Sequence, residues 1–336
     1  MSSDKRSFSY KDAGVDIEAG DKMVASISEM VKSTHNANVI DKYGHFGGFY
    51  ELAKGGYDEP VLVSSVDGVG TKLIAAFKSK KYDTVGQDLV NHCVNDIAVG
   101  GADPLFFMDY FSTGKLDPDV GKEVVKGFAT ACRQNGVALL GGETAEMPDI
   151  YQPGEFDLAG TVVGILDKQN ILTGGRVRKG DRLIGIPSNG LHTNGYSLAR
   201  KVLFSEYEIG DYVEEFGQTV GEELLRIHTS YLPLIREIRS EPALHGMAHI
   251  TGGGIEGNTK RLLGGDLKLA IQWDAWEYPA VFRKIREMGN VEEADMRRTF
   301  NLGVGLVIAA EKQGATELLS TIEQCGFRGF DIGEVV

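Results

Sequence analysis

Cysteine is scarce in this chain: Cys93, Cys132 and Cys325 are the only three, widely spaced and in no C-x-x-C pattern. An odd, scattered set suggests neither a disulfide framework nor a zinc site, and a reducing cytoplasm is the expected compartment. Long apolar runs are missing as well. No stretch of about 18 apolar residues occurs, and residues 1–30 carry charges throughout, so neither a membrane span nor an export signal is expected. Basic residues are outnumbered, Lys+Arg 35 against Asp+Glu 48, for a formal net charge of −13. That field repels nucleic acid and anionic membranes, and no basic patch overrides it. Proline is rare at 9 residues and there is no Gly-X-Y period, so the 44 glycines in 336 residues are not collagen-like and call for another explanation. The remainder is ordinary globular usage, 42% hydrophobic and 25% charged, in a length that suggests about two domains.

Residues 61–66 read as a buried β-branched strand ending in the turn Asp67-Gly68-Val69-Gly70. From Val85 to Val99 apolar residues recur at helical spacing, with Gly100-Gly101 as a stop. A strand at Leu105–Phe111, a helix at Asp117–Gln134, a strand at Val137–Leu140 ending in Gly141-Gly142, and a strand at Phe156–Leu166 follow. The segment Asp167–Asp181 is polar and aperiodic, which places a boundary there: residues 1–170 form one domain and residues 171–336 another. The second half reads as strands at Arg182–Ile186, Leu267–Trp273 and Gly303–Ala309, with helices around Ser197–Phe204, Glu222–Ile238, Ala280–Met288 and Ala315–Cys325. The pattern is mixed α/β, with no internal repeat.

Three segments of the first half carry chemistry. In Asp67-Gly68-Val69-Gly70-Thr71-Lys72 the glycines let backbone N–H groups approach a ligand, Thr71 and Lys72 donate, and Asp67 can hold a metal. This is not a Walker A loop, and a Gly-rich hairpin turn is the plain alternative. The Val85–Val99 helix carries Asp88, Asn91, His92, Asn95 and Asp96 along one stripe. A solvated stripe would draw on long Lys and Glu; short carboxylates and amides suit Mg²⁺, with Asp96 the favoured ligand. Glu143, after Gly141-Gly142, is a third acidic group at a segment end beside glycine.

In the second half, Ser188 to Ser197 packs Ser188, His192, Thr193 and Asn194 around two glycines just before a helix, which suits recognition of a polar substrate or, more simply, helix capping. His192 is the best general acid/base candidate among the seven histidines. A G-x-G-x-x-G string falls at Gly252, Gly254 and Gly257, with Asp274 beyond it. Its late position and weak preceding strand argue against a dinucleotide fold and for a phosphate or close-packing loop that includes Gly253 and Asn258.

These residues resemble the aminoimidazole ribonucleotide synthetase family, also called phosphoribosylformylglycinamidine cyclo-ligases. The resemblance rests on Ser9 to Ile17, the Asp67–Lys72 loop, the D-x-x-x-x-G-A-x-P pattern at Asp96, Gly101, Ala102 and Pro104, Gly141–Met147, Gly190–Leu198, His249–Gly254, and Phe300-Asn301 with Gly303 and Gly305. It spans nearly the whole length. Two positions depart from the family pattern: His45 stands at a usual glycine in Gly44-His45-Phe46-Gly47, and Asp149 replaces glycine after Met147-Pro148.

The resemblance implies a homodimer of two-domain α/β (α+β) chains whose N-terminal strands form a barrel at the dimer interface. It implies that ATP and formylglycinamidine ribonucleotide become aminoimidazole ribonucleotide, ADP and phosphate, with Mg²⁺ required and K⁺ reported. On that footing Lys72, Asp96 and His192 are expected to be catalytic. Gly47, Gly48, Asp67, Gly68, Gly70, Thr71, Lys72, Asn95, Asp96, Gly141, Gly142 and Glu143 are expected around the nucleotide, with Asp67, Asp96 and Glu143 on the metal. Ser188, His192, Thr193, Asn194, Gly252, Gly253, Gly254 and Asn258 are expected on the substrate. Another ATP-using enzyme of the superfamily, an idle nucleotide-binding scaffold, and a nicotinamide oxidoreductase are the competing readings.

Overall fold

The computed structural model of the chain describes Gly14 and residues 16–40, 47–52 and 56–336. The N-terminal motif from Ser9 to Ala13, Val15, and Gly44-His45-Phe46 lie outside the described residues. Helix α1 (Ile17–Lys32) starts at an Asp16 cap whose carboxylate accepts the Ala19 N–H. Then come strand β1 (Pro60–Gly68), a short 3₁₀ turn (Gly70–Lys72), α2 (Leu73–Ser79), α3 (Val85–Ala98), β2 (Asp103–Thr113), α4 (Pro118–Asn135), β3 (Ala138–Glu146) and β4 (Phe156–Asp167). Helix α4 has clear local punctuation: Asp117 caps it, Pro118 opens it, and Gly136 closes it in the left-handed region.

The four strands form one sheet in the order β1-β4-β2-β3, antiparallel except for β2 and β3, which run parallel across the α4 crossover. Helices α1, α3 and α4 cover one face, where Phe107, Phe111 and Phe128 are fully buried. On the strands, Leu62, Val66, Met108 and Tyr110 are exposed.

The second half contains β5 (Arg182–Pro187), α5 (Tyr196–Leu203), the small pair β6 (Tyr212–Val213) and β7 (Gln218–Thr219), α6 (Val220–Leu224), α7 (Leu232–Ile238), β8 (Leu244–His249), α8 (Gly254–Thr259) and β9 (Leu269–Ile271). It ends with α9 (Ala280–Gly289), α10 (Glu293–Thr299), β10 (Val304–Ala310), α11 (Ala315–Gln324) and β11 (Phe330–Val335). Its sheet, β8-β10-β5-β11-β9, is antiparallel throughout.

Three sequence expectations are corrected. The strand expected to stop at Leu140 runs on through both glycines to Glu146, because its parallel pairing with β2 continues to Thr113. The helix expected over Glu222–Ile238 is two short helices with residues 225–231 between them. A strand does precede the Gly252–Gly257 string: β8, which ends at His249. It lies in an antiparallel sheet, so the dinucleotide reading fails on topology rather than on a missing strand.

Candidate functional site

Helix α3 joins the two halves. Every residue from Val85 to Ala98 except Gln87 and Asp96 is buried, so its polar stripe faces protein rather than water. The stripe grips the 226–231 connection through its backbone. Asp88 Oδ1 accepts the His228 N–H at 2.7 Å, and Asn91 Nδ2 donates to His228 O at 2.7 Å. Asn95 Nδ2 donates to Thr229 O at 2.8 Å while its Oδ1 accepts the Tyr231 N–H at 2.8 Å. Short side chains are required because the backbone they bind lies at contact distance; Lys or Glu would not fit. Asn95, expected at the nucleotide, has both ends of its amide committed to this clasp.

Lys72 is likewise turned inward. Its amine is fully buried and donates to Asp88 Oδ1 at 2.8 Å, to His192 O at 3.1 Å and to Arg226 O at 2.6 Å. All three donors are thus taken, and a phosphate could claim one only by breaking this knot. Burial pulls the Lys72 amine down and pushes the Asp88 carboxyl up, against their mutual attraction.

Asp67, at the end of β1, and Asp96, near the end of α3, do converge. His92 Nε2 is 2.8 Å from Asp67 Oδ2 and 3.7 Å from Asp96 Oδ2. Asp67 also accepts the Gly68 N–H at 2.7 Å, and Asp96 accepts Ser65 Oγ at 3.1 Å and lies 2.7 Å from His249 Nδ1. Burial works to raise both carboxyls, but the hydrogen bond and charge of His92 at Asp67, and of His249 at Asp96, hold both below the usual carboxylate range. Burial works to lower His92, and its bond to Asp67 with the nearby Asp96 charge holds it above the usual histidine value.

Glu143 does not join them. The register runs Gly68 to Ala159 to Tyr110 to Glu143 across the sheet, so three strand spacings, roughly 14 Å, separate it from the end of β1. It lines instead a cavity of about 420 Å³ against α1, shared with Gly141, Gly142 and Asp109. Gly48 packs on Leu140 of the same strand, also away from Asp67. Asp109 was not among the expected site residues. Burial lifts its carboxyl to about 7, and a Cβ on Gly142 would collide with it.

Four of the seven histidines meet beside Asp96. His192 and His228 stack with ring centroids 4.0 Å apart, and His228 Nε2 is 2.9 Å from His249 Nε2. His92 Nδ1 is 2.6 Å from Thr193 Oγ1, and its ring lies 5.2 Å from those of His228 and His249. His192, expected on the substrate side, is only 1% exposed and holds a left-handed φ of 60°. Its ring packs over Gly305, where a Cβ would strike both the imidazole and the Tyr231 hydroxyl. Thr193 and Asn194 remain partly exposed next to it. Burial first, then neighbouring positive groups, hold His192 and His228 well below the usual histidine range.

The remaining expected residues act on loops. Ser188 Oγ donates to Asn301 Oδ1 at 2.9 Å and Asn301 Nδ2 to Gly190 O at 2.9 Å, which fixes the 188–195 loop. Thr71 Oγ1 lies 3.1 Å from Ser197 Oγ, bridging the two halves at the surface, just after the left-handed Gly70. Asn258 is buried and donates to Gly254 O at 2.9 Å, holding the Gly252-Gly253-Gly254 turn rather than facing outward. His228 was hidden in an expected helix; its signal was the short polar run His228-Thr229-Ser230, poor helix formers in the middle of an apolar pattern.

Residues 53–166 match the family described as AIR synthase related protein, N-terminal domain, and residues 178–336 match its C-terminal domain. A phosphoribosylformylglycinamidine cyclo-ligase of Syntrophotalea carbinolica is 48% identical over 99% of this chain and 96% of its own. One of Sorangium cellulosum is 49% identical over 98% and 96%. Among solved structures, the thiamine-monophosphate kinase of Stenotrophomonas maltophilia superposes with a TM-score of 0.70 at 16% identity, covering 93% of each chain. The hydrogenase maturation protein HypE in complex with ATP superposes at 0.66 and 15% identity, covering 94% of this chain and 86% of that one. At such identities these two structures establish the shared fold.

Proposed function

The chain belongs to the AIR synthase related family, and from that premise we propose that it is a phosphoribosylformylglycinamidine cyclo-ligase, closing formylglycinamidine ribonucleotide to aminoimidazole ribonucleotide with release of ADP and phosphate in purine biosynthesis. An amide oxygen leaves poorly. ATP phosphorylates it to an iminophosphate, the amidine nitrogen attacks that carbon, and phosphate departs as the ring closes. Such chemistry asks for positioning and charge neutralisation rather than a covalent nucleophile.

The observation that carries the reading is the pair Asp67–Asp96, brought together from a strand end and a helix end between the two halves and held ionised by histidines. Two ionised carboxylates, 43% and 28% exposed at the side chain, are the right donors for Mg²⁺, which favours one or two carboxylates and substrate phosphates. A bound Mg²⁺ would neutralise charge on the transferring phosphoryl group. Asp67 and Asp96 would hold it; Glu143, across the sheet, would need a different partner. Gly68, Gly70 and Thr71 face the nucleotide from the β1 end, Thr193 and Asn194 approach the substrate from the second half, and the buried His192 leaves the catalytic role expected of it to others. Lys72 positions the 188–195 and 226–231 loops through their carbonyls. The domain boundary is placed between residues 170 and 171, between the two sheets.

The exposed apolar strand residues Leu62, Val66, Met108 and Tyr110 support a homodimer through this sheet, as in the barrel expected of the family. No described helix is long and apolar enough to cross a membrane, and a cytoplasmic setting fits a purine-pathway enzyme. K⁺ dependence belongs to the same reading.

The test is ADP release measured with and without the amidine substrate, beside a colorimetric assay for the aminoimidazole product. ADP formation must depend on substrate, and Asp96→Asn must slow turnover by roughly 10²-fold or more across a Mg²⁺ titration while melting near the wild-type temperature. Near-normal turnover at ordinary Mg²⁺ would remove Asp96 from the mechanism; substrate-independent ADP release would remove the activity itself.

A further inference from the structure

A cavity of about 560 Å³ opens between the two halves, with Tyr57, Asp103 and Asp167 on the first-half wall and Arg176, Arg239 and His245 on the other. It lies away from the Asp67–Asp96 pair. In the β1–β4 register Asp167 stands opposite Pro60, at the far end of β1 from Asp67 and roughly 23 Å along the strand. A hollow of this size at a junction of two halves has the dimensions of a small-molecule site.

The second-half wall is arranged for an anion. The backbone N–H groups of Thr173, Gly174, Gly175 and Arg176 have no hydrogen-bond partner among the described residues. They surround Gly174, which holds a left-handed φ of 82° and where a Cβ would run into the Leu262 backbone. Successive free N–H groups about a left-handed residue make an anion-binding concavity. Arg176 donates through Nη2 to Leu244 O and pairs with no carboxylate among the described residues, so the rest of its guanidinium is free. Arg239 Nη1 is held by Asp103 Oδ2 at 2.8 Å and Gly101 O at 3.2 Å, which leaves its other N–H donors. Arg236 Nε takes the second Asp103 oxygen at 2.9 Å, so the Asp103 charge is offset by two guanidiniums. His245, only 6% exposed, has Nδ1 2.7 Å from Oδ2 of the buried Asp181. That carboxylate takes the Nδ1–H and leaves Nε2, which has no partner among the described residues, to accept a P–OH or, once protonated, to donate to a phosphate oxygen.

The first-half wall differs. Asp167 Oδ1 accepts the Asp58 and Glu59 N–H groups, each at 2.8 Å, and its carboxylate repels a phosphate but accepts hydroxyls. Tyr57 and Leu166 add ring and apolar surface. We propose that this cavity binds a sugar phosphomonoester, free or as the sugar phosphate of a nucleotide, with its phosphate on the Thr173–Arg176 backbone, Arg239 and His245 and its hydroxyls toward Asp167. Arginine forks and backbone N–H groups are strong phosphate donors. Because the walls come from both halves, the bound ester fastens them together and raises the melting temperature by mass action. The inference stands on this cavity and is independent of the cyclisation reading.

The experiment is calorimetric titration of the full-length protein with ribose 5-phosphate, AMP, ribose and inorganic phosphate, beside thermal melting. The expected result is binding of the two esters, with ribose silent, inorganic phosphate weaker, and the esters bound at least about tenfold more weakly by Arg176→Gln and His245→Gln. Asp96→Asn should bind ribose 5-phosphate as the wild type does. A stronger response to AMP than to ribose 5-phosphate upholds the proposal with a nucleotide as occupant, and an equal one upholds it with the sugar phosphate. No ester binding at about 1 mM, binding undiminished in Arg176→Gln, binding lost in Asp96→Asn, or inorganic phosphate bound as tightly as the esters would overturn it. Arg176 is exposed, so its variant decides the matter even if His245→Gln, which strands the buried Asp181, fails to fold.

Discussion

The Lys72–Asp88 pair offers the sharpest test of how the two halves are joined, because the sequence places Lys72 on a phosphate and the structure places it in the interior. Both side chains are fully buried and 2.8 Å apart, and one Asp88 oxygen has no hydrogen-bond partner among the described residues. Lys72→Met removes the counter-charge and leaves the His192 and Arg226 carbonyls without their donor. Breaking one side of a buried pair costs about 3–5 kcal/mol, and an orphaned buried polar group about 1–3 kcal/mol. Asp88→Asn leaves the amine uncompensated and should cost a similar amount. The double variant Lys72→Met with Asp88→Asn buries no charge, and the amide can still accept the His228 N–H. It should therefore be at least about 2 kcal/mol more stable than the sum of the single losses predicts. Urea unfolding of the four proteins, followed by far-ultraviolet circular dichroism, measures the cycle. Single losses below about 1 kcal/mol, or strictly additive ones, would refute the inward role. A Lys72→Met protein of unchanged stability with no turnover would restore the phosphate contact instead.

Two further outcomes are expected. Asp109 has its carboxyl raised to about 7 by burial, so the folded chain holds that proton more tightly than the unfolded one. Its contribution is complete below the unfolded value near 4 and is lost as pH rises through 7, with a ceiling of about 4 kcal/mol and roughly half that given its partial solvent access. Asp109→Asn should accordingly gain stability over wild type between pH 4.5 and about pH 7.5, read from urea midpoints; a pH-independent difference would contradict it. Val66 is 67% exposed on the uncovered sheet, so Val66→Asp should convert a dimer to a monomer in light scattering without lowering the melting point by more than a few degrees; an unchanged mass would place the interface elsewhere.

The α3, α4, β2 and β4 segments were legible because their apolar residues keep one period and their ends carry local punctuation, such as Asp117, Pro118 and Gly136. Strand β8, Leu-His-Gly-Met-Ala-His, was not legible, for it is buried along its whole length and so shows no alternation. The break at residues 225–231 was hidden for a different reason: its backbone partners are Asp88, Asn91 and Asn95, far away in sequence. Of the site, Asp67 and Asp96 could be found because each sits at a segment end beside glycine. Their separation from Glu143 depended on strand order, which no local pattern encodes.

The polar stripe of α3 shows why composition alone could not divide its residues by task. Asp88, Asn91, His92, Asn95 and Asp96 are all short, polar and unfavourable in helices, and that shared oddity has two causes. Asp88, Asn91 and Asn95 are short because they bond a neighbouring backbone at 2.7–2.8 Å. Asp96, one helical turn beyond His92, is the stripe residue that keeps partial solvent access, and it is bound to a β1 serine and a β8 histidine rather than to the 226–231 backbone. The same helix therefore fastens the two halves with its middle and presents a carboxylate with its end. Any movement of the second half relative to the first would have to break the clasp before it could move Asp96, which ties the geometry of the site to the stability of the interface between the halves.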